Sequence, residues 1–179
     1  MYFKDLEIVT AYDLGISLEI LENNVSVQGN SIKKATEWAS KSGMTTIADD
    51  VGFFIPALGD KPGVLVKKWG GELENELTNQ EFMKFLEGKL KDVDDTSCYF
   101  DTCYTIANPD GKIYSFHLKT FGKINKDLFN EAYVQGYPLG AVFVAEGRDK
   151  TWVEMDEREK IVWGKEMIEN VVKVLPLFG

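Results

Sequence analysis

Two β-rich runs on either side of a four-residue turn constrain this 179-residue chain more tightly than any other feature. SCYFDTCYTIA and KIYSFHLKT flank Asn108-Pro109-Asp110-Gly111. Strands favour β-branched and aromatic residues. Proline presets φ for a turn, and glycine accepts left-handed backbone without a steric penalty. The segment therefore predicts a β-hairpin.

The remaining elements are read around it. LEIVTAY (6 to 12) predicts a strand, and LGISLEIL has similar character. Asn30 reads as the N-cap of a helix over SIKKATEWASKS, with Ile32, Ala35 and Ala39 at helical spacing and Gly43 as its stop. MTTIAD predicts a short strand ending at Asp49 and Asp50, and PALGDKPGV a loop. Thr78 and Glu81 form a capping box ahead of a helix over EFMKFLEGKL. A short helix is expected at 126 to 135, a buried strand at GAVFVA, and a one-faced helix from about Lys165 to Leu175. Strands mixed with helices predict an α/β domain spanning residues 1–179 as a single unit.

Composition excludes several function classes. The net charge is −9 and the pI about 4.7, so the cation surplus that nucleic-acid polymers require is missing. A small phosphorylated ligand is compatible, because a few cations can offset the field locally. No stretch approaches the ~20 apolar residues of a membrane span, and MYFKDLEIV lacks a signal-peptide pattern. The two cysteines, Cys98 and Cys103, face opposite sides of a strand and read as reduced thiols of a cytoplasmic protein. His117 is the single histidine, which argues against a Ser-His-Asp triad or a multi-histidine metal site.

Asp49 and Asp50 are the candidate catalytic and metal-binding residues, set between Ile47-Ala48 and the apolar run from Gly52 to Ile55. Phosphoryl chemistry needs a carboxylate to orient water and a cation to absorb charge. The plainer alternative is a turn-capping aspartate before Gly52. Successive strand residues point to opposite sides, so only one of the pair need face a site.

The order of several motifs resembles the Ham1 family, the inosine triphosphate pyrophosphatases. Asn30 with Lys34-Ala35 is similar to the family's "ENAxxKA". ADDVGF (48–53) is similar to "ADDSGL", ALGDKPGV (57–64) to "ALGGxPGV", and ANPDGK (107–112) to "ADPDG". FGKI (121–124) resembles "xGxI", and AVFVAEG, TWVEM and EREK (141–160) resemble "PIFxPxG", "TxAEM" and "xEEK". The resemblance implies a long mixed β-sheet between two lobes with flanking helices, and a homodimer. It also implies Mg²⁺-dependent cleavage of a nucleoside triphosphate to the monophosphate and pyrophosphate. It assigns Asp49 and Asp50 to catalysis and metal, and Asn30, Lys34, Lys68, Tyr137 and Lys160 to substrate binding.

The departures fall on residues that carry chemistry. Met1-Tyr2-Phe3-Lys4 resembles the end of the family's first helix, so the resemblance implies that the first strand, the Thr-Asn-Lys phosphate loop and most of that helix are missing, either because the chain is truncated relative to its relatives or because its start is a different one. Gly29 stands where the family has a metal-binding glutamate, and Val51 where it has serine. The purine-pocket segment reads Tyr137-Pro138-Leu139-Gly140-Ala141, and the base-reading "SHR" aligns with Gly164-Lys165-Glu166. These changes predict a pyrophosphatase of altered base specificity. The alternative is an inactive relative kept as a nucleotide-binding or protein-interaction module.

Overall fold

The computed structural model describes residues 7–22, 24–129 and 133–178. Among the described residues five strands form one sheet, β1 (Thr46–Ile55), β2 (Lys61–Gly63), β3 (Ser97–Ala107), β4 (Ile113–Ile124) and β5 (Phe143–Ala145), in the order β2-β1-β3-β4-β5. Four α-helices among the described residues accompany it, α1 (Val27–Ser42), α2 (Asn79–Leu90), α3 (Glu157–Trp163) and α4 (Lys165–Val174).

The chain divides into two compact units, and β1, β3 and β4 each run through both. The first holds the chain up to Asp50, Thr102–Leu118 and the segment from Trp163; the second holds Val51–Asp101 and Lys119–Val162. β1 leaves the first unit for the second, β3 returns, and β4 leaves again, so these neighbours are antiparallel. The edge pairs β1–β2 and β4–β5 are antiparallel too. The α/β class stands, with an antiparallel sheet in place of the mixed one, because the neighbours β3 and β4 are joined by a turn rather than a crossover helix.

The hairpin forms as its turn chemistry dictates. The Gly111 amide donates to the Asn108 carbonyl at 3.1 Å, the Lys112 amide donates to Asn108 Oδ1 at 2.9 Å, and Gly111 takes φ 87°. The Thr78–Glu81 capping box is also present and starts α2.

Elsewhere local competition overrides propensity. Residues 7–12 of LEIVTAY contain no strand, and 11–15 form a turn. Asp13 Oδ2 accepts from the Thr10 amide at 2.7 Å and from Thr10 Oγ1 at 2.6 Å, which draws the backbone away from a ladder. LGISLEIL contains no strand either. α1 begins one turn before Asn30, because Ser26 Oγ caps it by accepting from the Gly29 amide at 3.1 Å. Gly43 ends it in the left-handed region, as read from sequence.

β1 continues through the aspartates instead of ending there. Phe53, Phe54 and Ile55 pair with Gly63, Pro62 and Lys61 of β2. The expected loop thus contributes an edge strand, the position where proline costs no ladder bond. The expected helix at 126–135 is a 3-10 turn at Lys126–Leu128, with 130–132 outside the described residues. GAVFVA is strand only in its second half, since Pro138–Ala141 form a 3-10 turn. Among the described residues no helix is long and apolar enough to cross a membrane.

Each unit has its own core. In the first, Ala35 and Ala39 of α1 pack on Ala107, with Ala48 beside them, and Val171 and Val174 of α4 pack on Ile106. In the second, Phe53, Phe100 and Phe143 meet with centroids 4.7–6.4 Å apart.

Candidate active site

The site in the first unit starts from a helix held close to strands. α1 presents alanines to the sheet, so its backbone approaches closely and short polar side chains can reach across. Ser31 Oγ lies 3.2 Å from the Ala48 carbonyl oxygen and 2.8 Å from Thr105 Oγ1, sharing its single proton between them, and Thr105 in turn bonds Ser115 Oγ at 2.8 Å. This buried hydroxyl chain fixes the rotation of α1 over β1, β3 and β4.

That rotation sends Asn30 and Lys34, four residues apart on one helical face, to the same carboxylate. Asn30 Nδ2 donates to Asp50 Oδ2 at 3.3 Å, and Lys34 Nζ meets Asp50 Oδ1 at 2.8 Å. Asn30 Oδ1 accepts from the Asn24 amide at 3.0 Å, which ties the incoming chain to the same point. Asp50 is only 6% exposed and Asn30 1%. A buried carboxylate is tolerable when paired and hydrogen-bonded, as this one is.

Alternation along β1 splits the aspartate pair. Asp50 is buried towards α1, while Asp49 is exposed together with Ile47 and Val51. The Asp49 carboxyl is raised above the usual range, first by desolvation and then by the Asp50 charge, with Lys34 opposing. Exposure of the residue to solvent screens part of that effect. Tyr104 is raised as well, by burial first and then by the Asp49 charge.

A further carboxylate stands here that the sequence motifs did not single out. Glu22 Oε1 lies 3.5 Å from Lys34 Nζ. Its carboxyl is raised, first by desolvation, against the pull of Lys34 and with the help of the adjacent Asp50 carboxylate. Glu22 sits in a segment without regular structure, so no periodicity could have marked it.

The expected residues of the second unit form a different kind of group. Tyr137 packs edge-on to Trp152 at 6.1 Å, and Lys160 Nζ lies 5.7 Å over the Trp152 ring while pairing with Glu157 at 3.5 Å. Tyr137 and Lys160 are thus joined through Trp152, which composition alone reads as ordinary core. Lys68 stands at the end of a 3-10 turn, Val66–Lys68, next to the buried Trp69.

A cavity of about 780 Å³ also opens in the second unit, lined by Cys98, Tyr99, Phe121 and Arg148 among others. It includes none of the expected site residues. Convergent charge and hydrogen bonding mark a reactive centre better than volume, so the candidate site is the Asn30–Lys34–Asp50 group.

The donor chemistry suits a hard divalent cation, for which carboxylate oxygens are the usual ligands. Among the described residues, however, no three acidic, cysteine or histidine side chains converge as a ligand set. Position 29, a glycine, offers no side-chain oxygen. A Cβ there would lie 3.0 Å from Asn24 Cβ and Cγ and 3.1 Å from Ser26 Oγ, so the neighbouring side chains fill the space.

Known proteins resemble both the sequence and this fold. The sequence profile of the Ham1 family matches residues 2–163. A dITP/XTP pyrophosphatase of Gluconobacter oxydans is 29% identical over 155 residues, covering 87% of this chain and 71% of its own. The crystal structure of a nucleoside-triphosphatase / dITP/XTP pyrophosphatase from Mycobacterium abscessus superposes with a TM-score of 0.66 at 25% identity, covering 95% of this chain and 87% of that one. A HAM1 protein structure from Coxiella burnetii gives a TM-score of 0.76 at 24% identity over 98% and 89% of the two chains.

Proposed function

The chain belongs to the Ham1 family, and from that premise we propose that it is a nucleoside triphosphate pyrophosphatase, releasing a nucleoside monophosphate and pyrophosphate. The names of its relatives support the reaction class. One observation carries the reading: a single buried carboxylate, Asp50, held at one oxygen by the Asn30 amide and at the other by the Lys34 ammonium.

Each part of that arrangement has a use. The Asp50 carboxylate orients the attacking water and supplies an anionic ligand. Lys34 places a positive charge where phosphate oxygens gather, and Asn30 keeps Asp50 from turning. Asp49 adds negative charge beside the site and, with its raised carboxyl, a stronger base than an ordinary aspartate. Mg²⁺ is the proposed cofactor; Asp50, with Asp49 beside it in sequence, would hold it, and it would supply charge neutralisation at the triphosphate. Lys68, Tyr137 and Lys160 complete the proposed substrate-binding set, with the Tyr137–Trp152 pair as an aromatic platform for a base.

The base specificity is proposed to differ from that of dITP/XTP enzymes. Lys165 and Glu166 take the place of the family's base-reading histidine and arginine. A polar pocket discriminates by the groups that a wrong base leaves unpaired, and different groups select different bases. The proposed state is a cytoplasmic homodimer, tested by light scattering on the purified protein.

The activity test incubates the protein with Mg²⁺ and standard, deaminated and modified nucleoside triphosphates and measures pyrophosphate. Turnover of at least one nucleotide, lost on Asp50→Asn, is the expected result. No turnover on any of them would sink the enzymatic reading and leave an inactive binding module.

A further inference from the structure

β4 turns Lys119, Phe121 and Lys123 outward in the second unit, on one side of the strand, because side chains alternate. Phe121 is 52% exposed. It is the open end of a row of rings that crosses three neighbouring strands. Phe54 of β1 stacks on Tyr99 of β3 with centroids 4.9 Å apart, and Tyr99 meets Phe121 of β4 at 5.5 Å. Lys119 Nζ lies 5.2 Å over the Tyr99 ring. The core of this unit is made by Phe53, Phe100 and Phe143, so Phe121 is not needed there. A ring backed by two others and flanked by lysines along its strand is a stacking surface.

That surface forms part of the wall of the cavity of about 780 Å³, a volume within the ~300–1,000 Å³ of small-molecule sites. Tyr99 and Phe121 supply its rings, Lys123 and Arg148 its cations, and Thr96 and Ser97 its hydroxyls. Glu146 is the one carboxylate in the wall, so cations outnumber anions there, although the chain as a whole carries −9. Each of these groups selects a part of a ligand. An aromatic face stacks on any nucleobase. Guanidinium and ammonium groups form charge-assisted hydrogen bonds with phosphate. Hydroxyls suit a sugar. We propose that this cavity binds a nucleoside monophosphate, with the base stacked on Phe121 and the phosphate met by Lys123 and Arg148. The site is formed by the second unit and shares no residue with the Asn30–Lys34–Asp50 group.

The test needs no turnover. Calorimetry on the full chain with EDTA present titrates AMP, GMP, CMP and UMP, with adenosine and inorganic phosphate alongside. At least one monophosphate is expected to bind, more tightly than either adenosine or phosphate alone. Phe121→Ser is expected to weaken it about fivefold or more, the loss of one base–aromatic stack. Lys123→Gln is expected to weaken it as well, through the lost phosphate contact. Both positions are exposed, so both variants keep the wild-type urea midpoint. No binding of any monophosphate at millimolar concentration overturns the inference, as does equal affinity in the wild type and both variants. Binding that is lost on Tyr137→Ala but unchanged in Phe121→Ser places the nucleotide at the Tyr137–Trp152 pair and overturns it too.

Pyrophosphate release by the wild type separates this inference from the enzymatic reading, on which it does not depend. Turnover without Phe121-dependent binding sinks the cavity site alone. Phe121-dependent binding by a chain that turns over no nucleotide keeps the site and sinks the enzymatic reading.

Discussion

In the first unit α1 meets the sheet through Ala35 and Ala39 and through the Ser31–Thr105–Ser115 hydroxyl chain; in the second, the sheet carries Phe53, Phe100 and Phe143. The two materials give different precision. Alanines let a helix backbone approach until hydrogen bonds cross the gap, and hydrogen bonds are directional. They set Asn30 and Lys34 against Asp50 at 3.3 and 2.8 Å. Aromatic packing is stronger per residue but tolerates tilt, as the 41°, 74° and 84° interplanar angles of that cluster show. It builds a scaffold and surfaces such as the Tyr137–Trp152 pair. The Asn30–Lys34–Asp50 group therefore belongs to the first unit, and the Phe53–Phe100–Phe143 cluster to the second.

The sharpest way to break that comparison is at Asp50. Asp50→Asn should lower pyrophosphate release by about a hundred- to ten-thousand-fold, the range for a positioned acid–base group. Asp49→Asn, on the exposed face of β1, should lower it less. Equal losses would mean that the strand alternation does not separate their roles. Phe53→Ala should leave any chemistry of the first unit in place but cost about 3–5 kcal/mol in urea denaturation, because a fully buried ring leaves a cavity.

Ser31→Ala should cost less in stability, about 1–3 kcal/mol, by leaving buried Thr105 with one partner fewer. Its effect on kcat should nevertheless exceed that of Phe53→Ala, since the rotation of α1 aims Lys34. The reverse ranking would show that the hydroxyl chain does not orient the site.

The smallest effect is read from one thiol in each unit. Cys98 belongs to the second and Cys103 to the first; both are buried. Burial, helped by the Asp95 charge, pushes the Cys98 thiol up to about 12, so it stays protonated and unreactive through neutral pH. Its folded-state value lies above the unfolded one. The stabilisation is therefore complete below the ordinary thiol range and is lost as pH rises from there towards about 12. Neither cysteine should react with iodoacetamide at pH 8 in the native protein. In mild urea, mass spectrometry should find Cys103 labelled before Cys98 if the alanine-lined unit opens first. Simultaneous labelling would show that the two units unfold together.

Local chemistry was legible wherever a few adjacent residues decide the outcome. The Asn108–Gly111 turn, the Thr78–Glu81 box and the Gly43 stop all stand where the residues placed them. LEIVTAY misled because strand propensity has no force without a partner strand, whereas Thr10 and Asp13 supply an immediate one for the backbone. Asn30 was legible as important but was misread as a cap. Its amide is used across the structure, on Asp50 and the Asn24 backbone, instead of along its own helix.

The sequence by itself determined the family, the hairpin, the acidic pair and the helix that carries Asn30 and Lys34, because these follow from neighbours along the chain. Only the tertiary structure decided which aspartate faces that helix, that Trp152 joins Tyr137 to Lys160, and that Glu22 shares Lys34 with Asp50. The reason is physical. Strand alternation has two phases, and burial against α1 selects one of them. A charge on an irregular segment acquires a partner only when folding brings it within a few ångströms.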